Sequence, residues 1–248
     1  MSGAAINKTG DADTASRLTA TGTVLIDCRA VDKSFHDAGR EVVVLRGLDL
    51  EVMAGEEVAI IGQSGVGKST LLHVIGSLER PTGGQVLFEG HDLFAMDERE
   101  TAEFRNRNLG FVFQFHYLLA DFSALENVMM PALIARMPDR EARELAEVVL
   151  ERVGLKDKGH RRPAELSGGE QQRVAVARAV VLGPRLVLAD EPTGNLDPKT
   201  ADEVHEVFHR LNRELGLTLV VATHNERLSQ SMTRTLRLQD GKLIAEKI

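Results

Sequence analysis

The sequence predicts an α/β fold built around a mainly parallel β-sheet, and three observations support this prediction. Short, continuous apolar runs at 58–61, 186–189 and 219–222 are typical of strands buried on both faces. Segments with helical periodicity alternate with these strands, which favours parallel pairing. Residues 62–69 read GQSGVGKS and follow the first of these strands directly, which matches the phosphate-binding pattern G-x-x-x-x-G-K-[ST] in its strand–loop–helix setting.

Apolar periodicity and glycine punctuation divide the chain into elements. In order, these are strands 24–31, 42–52 and 57–61, helix 70–77, strands 84–88 and 109–113, a helical stretch 125–154, strand 186–189, helix 200–214, strand 217–222, a short helix and two closing strands. Asp139 after Pro138 is a plausible helix start inside the helical stretch. We expect a disordered tail at 1–22 and one domain at 23–248, with a helical subdomain at about 115–170.

Composition narrows the class of protein. The 248 residues are 43% hydrophobic and 27% charged, which suits a globular domain that buries a substantial core. A net charge of −7 argues against a nucleic-acid partner, because such proteins usually present a basic face. The single cysteine, Cys28, excludes an internal disulfide. Since no apolar run is long enough to span a bilayer, any membrane spans would have to come from other subunits.

The phosphate loop predicts that the chain can bind a nucleotide. Glycines 62, 65 and 67 let the backbone bend and approach a phosphate, and the following helix N-terminus favours negative charge. Lys68 should pair with the β- and γ-phosphates, and the Ser69 hydroxyl should bind Mg²⁺. The residues predicted to contact the nucleotide here are Gly62, Ser64, Gly65, Val66, Gly67, Lys68, Ser69 and Thr70.

Two carboxylates end the strand at 186–189. Asp190 fits an aspartate that organises Mg²⁺, usually through water. Glu191, one residue further, is placed to polarise an attacking water as a general base. The alternative is a pair of surface acids before a turn at Pro192, and the nearby phosphate loop disfavours it.

A second glycine-rich turn, LSGGEQ at 166–171, opens another helix. A chain that combines this turn with the phosphate loop resembles the ATPase subunits of ATP-binding cassette (ABC) transporters. The resemblance implies a P-loop NTPase fold of the ABC type, in which an antiparallel β subdomain and an inserted helical subdomain accompany the parallel sheet. It also implies that ATP is bound with Mg²⁺ between two copies of the chain.

The resemblance assigns roles to further residues. Gln114 would sense the γ-phosphate and Mg²⁺, and His224, directly after a buried strand, would hold the γ-phosphate. The signature residues Ser167, Gly168 and Gly169 would close over a nucleotide held by another copy of the chain. Residues 195–197, NLD, resemble the D-loop, and Asp197 would contact nucleotide. Phe35 lies where the family places an aromatic ring against adenine. Many relatives carry tyrosine at this position, and a core role for Phe35 is the alternative.

The stretch 110–119, GFVFQFHYLL, narrows the resemblance. It is similar to the LolD group, the ATPases of lipoprotein-releasing complexes. Residues 189–197, ADEPTGNLD, fit the MacB-type efflux ATPases and the FtsE cell-division group as well, and the pair at 115–116 favours LolD. This resemblance implies integral membrane partners resembling LolC and LolE, a peripheral position on the cytoplasmic face of a bacterial inner membrane, and release of lipoproteins toward the outer membrane. DNA-repair ATPases share both motifs, but a very long coiled coil separates them there.

One motif suggests a different function, that of a zinc protease. Residues 205–209 read HEVFH and fit the H-E-x-x-H pattern of zinc proteases. The predicted helix has an apolar face of its own, formed by Val204, Val207, Phe208, Leu211 and Leu215. We therefore expect His205 and His209 at the solvated side of that helix, without zinc.

Overall fold

A computed structural model of the chain describes residues 22–37 and 39–246, so nearly all of the tail predicted at 1–22 lies outside the described residues. The strands are β1 (Val24–Asp37), β2 (Arg40–Met53), β3 (Glu57–Ile61), β4 (Gly83–Phe88), β5 (His91–Asp92), β6 (Leu109–Phe113), β7 (Leu186–Asp190), β8 (Thr218–Ala222), β9 (Arg234–Gln239) and β10 (Lys242–Ala245). The α-helices are α1 (Lys68–Ile75), α2 (Glu98–Asn108), α3 (Ala124–Ile134), α4 (Asp139–Arg152), α5 (Gly168–Val180), α6 (Pro198–Leu215) and α7 (Glu226–Ser231).

The strands form two sheets, as the predicted fold class requires. A six-stranded sheet has the order β10-β9-β3-β8-β7-β6, and all its neighbours are parallel except β10 and β9. A four-stranded antiparallel sheet has the order β2-β1-β4-β5. The carboxyl ends of β3, β8 and β7 are therefore adjacent at one edge of the parallel sheet, where ligands bind in open α/β folds.

Alternating side chains of the parallel strands supply two separate cores. Ala59 of β3 and Val187 of β7 pack on one side of the sheet, with α3 to α6. Val58 and Leu186, their neighbours in sequence, pack on the other side with α1 and the antiparallel sheet. This two-sided burial follows from the two-residue period of a strand and explains the continuous apolar runs in the sequence.

The predicted helical stretch 125–154 is two helices. The backbone leaves the helical conformation after Ile134, since Arg136 has a positive φ of 60°, and Pro138 then precedes α4. Two 3₁₀ turns, Lys156–Lys158 and Pro163–Glu165, lead to α5. All these elements fall in or beside the stretch expected to form the helical subdomain.

The helix α2 has no counterpart among the predicted elements. It buries no residue completely, so it lacks the apolar period that reveals a helix in sequence. A capping box stabilises its start instead, because Asp97 accepts from the backbone N–H of Glu100 and the Glu100 carboxylate accepts from that of Asp97. In the described part of the chain, no helix combines the length and apolarity that crossing a membrane would need.

Candidate nucleotide site

The phosphate loop joins β3 to α1. Gly62, Gly65 and Gly67 all have positive φ, at 155°, 78° and 109°. A Cβ atom on Gly62 would come within 2.7 Å of the Leu238 carbonyl oxygen, and one on Gly67 would collide with the Val44 side chain. Glycine is therefore required at these two positions for both conformation and space.

The helix that follows the loop leaves its first N–H groups available. α1 begins at Lys68, and its N-cap residue, Gly67, provides no side-chain cap. These N–H groups carry the positive end of the helix dipole, which suits a phosphate. The side chains of Ser64 and Ser69 are exposed at the same place.

The structure brings three of the predicted residues into contact. The buried Lys68 Nζ donates to the carbonyls of Gly62 at 3.0 Å and Gln63 at 3.2 Å, and lies 3.7 Å from Glu191 Oε1. His224 Nδ1 lies 2.9 Å from the same Glu191 oxygen, and the His224 N–H donates to Glu191 Oε2 at 3.2 Å. A cation, a carboxylate and an imidazole thus meet beside the phosphate loop.

The ends of neighbouring strands produce this cluster. Glu191 directly follows β7, and its N–H donates to the carbonyl of Ala222 at the end of β8. Its φ of +46° is unusual for a residue with a side chain and is the kind of local strain that concentrates at functional sites.

Asp190 fits a metal ligand. It ends β7, and its Oδ1 is buried with no hydrogen-bond partner within the described residues. A buried carboxylate oxygen without a partner is unfavourable, so a ligand for it is expected. Carboxylate, hydroxyl and amide oxygens are the donors that Mg²⁺ prefers, and Asp190, Ser69 and Gln114 would provide one of each.

Gln114 follows β6 and contacts the loop after Glu191. Its Nε2 donates to Asn195 Oδ1 at 3.0 Å, and Asn195 Nδ2 donates back to the Gln114 carbonyl at 3.3 Å. A Cβ on Gly194 would lie 3.1 Å from Gln114 Nε2, so the two segments touch. The side chain of Asn195 was not among the predicted site residues, because only the tertiary structure reveals this pairing.

The signature turn at residues 166–171 forms the N-terminus of α5. Ser167 caps α5 and forms a capping box with Glu170, and Asp197 caps α6 by accepting from the Thr200 N–H. Hydrogen bonds from Thr200 hold the pKa of Asp197 below its ordinary value. A Cβ on Gly169 would collide with the Thr200 side chain, and one on Gly168 would lie 3.4 Å from Leu196, so the two helix starts pack together.

Ser167, Gly168 and Asp197 are exposed at this place, and within residues 22–37 and 39–246 none of them hydrogen-bonds to Lys68 or His224. Phe35 on β1 is also outside the cluster. Phe35 is 38% exposed, and Lys33 Nζ lies 4.7 Å from its ring centre.

The expectation that His205 is solvated was wrong. His205 is 6% exposed, and its Nε2 lies 3.0 Å from the Thr193 hydroxyl. Burial lowers the pKa of His205 to about 4. His209 instead pairs with Glu57 at 2.9 Å and with Ser231 at 3.0 Å. The two histidines therefore have different partners, and no cluster suited to a metal occurs among His, Cys, Asp and Glu of the described residues.

Comparison with known proteins agrees with this geometry. A family profile described as ABC transporter matches residues 45–194. The lipoprotein-releasing system ATP-binding protein LolD of Syntrophus aciditrophicus is 53% identical over 89% of this chain and 99% of its own length. LolD of Myxococcus xanthus is also 53% identical, over 88% of this chain and 98% of its own.

A solved structure gives the same result for the fold. The dimeric ATP-binding cassette MJ0796, in a post-hydrolysis state bound to ADP and Pi, superposes with a TM-score of 0.82 at 36% identity, over 90% of this chain and 98% of that one. The predicted fold class and family resemblance are thus confirmed. The chain is an ATP-binding, ATP-hydrolysing member of the ABC transporter family and, within that family, belongs to the LolD group.

Proposed function

We propose that this chain is the ATPase subunit of a complex that releases lipoproteins from a bacterial inner membrane toward the outer membrane. The observation that supports ATP hydrolysis best is the contact of Lys68 and His224 with the Glu191 carboxylate beside the phosphate loop. The similarity to LolD proteins supports the lipoprotein cargo. Residues 23–248 act as one ATPase domain, with a helical subdomain at about 115–170.

Each residue of the cluster has a role in hydrolysis. The loop N–H groups and Lys68 bind the β- and γ-phosphates, and the γ-phosphate competes with Glu191 for the Lys68 and His224 side chains. Glu191 then accepts a proton from the water that attacks phosphorus, while the bond to the ADP oxygen breaks. His224 holds the γ-phosphate, and Phe35 stacks on adenine.

Ser69, Asp190 and Gln114 would hold Mg²⁺, which when bound would supply positive charge beside the transferring phosphoryl group. The buried, unpartnered Oδ1 of Asp190 supports this assignment.

The site is completed by a second copy of the chain. The exposed signature turn at Ser167 does not contact its own Lys68 cluster, so it is available to the nucleotide of a partner. Ser167, Gly168, Gly169 and Asp197 act there, and each dimer holds two composite sites. The dimeric state of the structurally similar MJ0796 supports this arrangement.

Integral membrane subunits resembling LolC and LolE bind beside Gln114, and the chain is peripheral on the cytoplasmic face of the inner membrane. Phe115 and Tyr117 there are 61% and 66% exposed. Nearby, a cleft of 360 Å³ lies between α2, α3 and α5, with Leu78 and Ile134 at its surface. Large exposed apolar side chains beside a cleft are typical of a protein interface.

A pair of substitutions tests the composite site. Glu191→Gln should leave ATP binding intact and stop hydrolysis, because the amide cannot take up a proton. Closed dimers should then accumulate with ATP and Mg²⁺. Adding Ser167→Arg should abolish the dimer on size-exclusion chromatography while monomer ATP binding survives, because Ser167 is not part of its own site. A double variant that dimerises as well as Glu191→Gln alone would refute the composite arrangement.

The cargo is tested separately. The chain should co-purify with its LolC- and LolE-like subunits, and the reconstituted complex should release a membrane-bound lipoprotein to a soluble carrier when ATP is added. Glu191→Gln should block this release. Co-purification with a cell-division protein, without lipoprotein release, would contradict the proposal.

A further inference from the structure

Side chains of α5 bind the backbone on both sides of Gln114. Gln172, which is fully buried, donates from Nε2 to the Phe113 carbonyl at 3.3 Å. Arg178 donates from Nη2 to the His116 carbonyl at 2.8 Å and from Nη1 to the Tyr117 carbonyl at 2.7 Å. The segment 113–117 that carries Gln114 is thus held from one helix at both of its ends.

The stability of the fold alone does not explain why polar side chains occupy positions 172 and 178. Gln172 Oε1 has no hydrogen-bond partner in the described part of the chain. An unsatisfied buried amide oxygen is destabilising, so an apolar side chain of similar length would pack at least as well. Burial lowers the pKa of Arg178, and its guanidinium donates to two neutral carbonyl oxygens. Both side chains therefore serve the segment to which they donate.

The segment itself has a conformation that needs support. Tyr117 has a positive φ of 45°, which is unfavourable for a residue with a bulky side chain. Its ring packs edge-on against Phe113, with 5.5 Å between ring centres, and its carbonyl accepts from Arg178. Without Arg178, the backbone beyond Gln114 would lose the bonds that oppose its relaxation.

We propose that Gln172 and Arg178 are positioning residues that hold the backbone around Gln114 so that its amide reaches the bound nucleotide. This inference rests on the role proposed above for Gln114. Because the signature residue Ser167 caps α5 and α5 carries both donors, one helix joins the turn offered to the partner subunit with the segment that senses the chain's own nucleotide.

Conservative variants of the full chain test the proposal. Gln172→Met removes the unpartnered oxygen but also the donor to the Phe113 carbonyl, and because these two effects on stability oppose each other, the melting temperature should change little. The ATP dissociation constant should also stay unchanged, while kcat should fall about five-fold, the effect of one hydrogen bond. Arg178→Lys keeps the charge but can serve only one carbonyl, so it should slow hydrolysis less than Arg178→Met.

A double-mutant cycle with Gln114→Ala separates positioning from general destabilisation. If Gln172 acts through Gln114, Gln172→Met should change kcat by less than about two-fold in the Gln114→Ala background. Arg140→Met is the matched control, because it removes an exposed arginine that pairs with Glu144 on the surface of α4, and kcat should not change.

The outcomes distinguish the two proposals. Additive effects of Gln172→Met and Gln114→Ala, or an unchanged kcat in Gln172→Met, would overturn the positioning role alone. Wild-type hydrolysis and Mg²⁺ dependence in Gln114→Ala would overturn the role proposed for Gln114 and this inference with it. If Arg178→Met does not fold, Gln172→Met decides the question.

Discussion

Acidification should destabilise this protein through the buried imidazole of His205, and His205→Gln should remove that part of the sensitivity. The imidazole is 6% exposed and hydrogen-bonded to Thr193, and burial lowers its pKa from 6.5 to about 4. Asp202 opposes this shift, but burial is the larger cause. The folded state therefore favours the neutral ring.

The sign and size of this pH effect on the free energy of unfolding follow from proton linkage. Between the two pKa values the unfolded chain binds more protons than the folded chain, so the contribution is complete above 6.5 and is lost as pH falls toward 4. From near neutrality to about pH 5, the free energy of unfolding should fall by about 1 to 2 kcal/mol through this group, the lower value allowing for solvent screening.

Urea unfolding at the two pH values measures this effect. Glutamine does not titrate and can still bond to Thr193, so the wild-type midpoint should drop on acidification by roughly 0.5 M more than that of His205→Gln. His160→Gln, at an exposed site, is the control and should behave like the wild type. Equal losses in wild type and His205→Gln would show that the folded state does not hold this imidazole neutral.

Three other results are expected. Lys68→Ala should weaken ATP binding by about 100-fold in calorimetry, because it removes the charge-assisted donor of the phosphate loop. Lys242→Ala is the control, and retained ATP affinity in Lys68→Ala would argue against the proposed nucleotide site. Phe35→Ala should raise the dissociation constants of ATP and GTP alike, by about 1 to 2 kcal/mol; unchanged constants would leave Phe35 a structural role. The purified protein should lack stoichiometric zinc, and His205→Gln with His209→Gln should not alter its metal content. Zinc that is present in the wild type and lost from that variant would support a zinc site at residues 205–209.

Features that depend on neighbouring residues were predicted well. The phosphate loop, with its flanking strand and helix, follows from a local run of apolar residues, glycines and Lys68, and α1 begins at that lysine. The buried strands are recognisable because each is apolar on both faces. β1 is longer than predicted, since register shifts between Cys28 and Lys33 interrupt its alternation. The helix α2 was missed because it has no buried face.

The sequence by itself determined the fold class, the family and the candidate residues of the nucleotide site, since each rests on a short motif with its own chemistry. Only the tertiary structure decided which of them meet. Lys68, Glu191 and His224 are far apart in the chain and touch because β3, β8 and β7 are neighbours in the sheet. The burial of His205 and the bonds from Gln172 and Arg178 depend on what packs against the polar sides of α6 and α5. Helical periodicity identifies the apolar face of a helix, but it does not record the partners that cover the other faces.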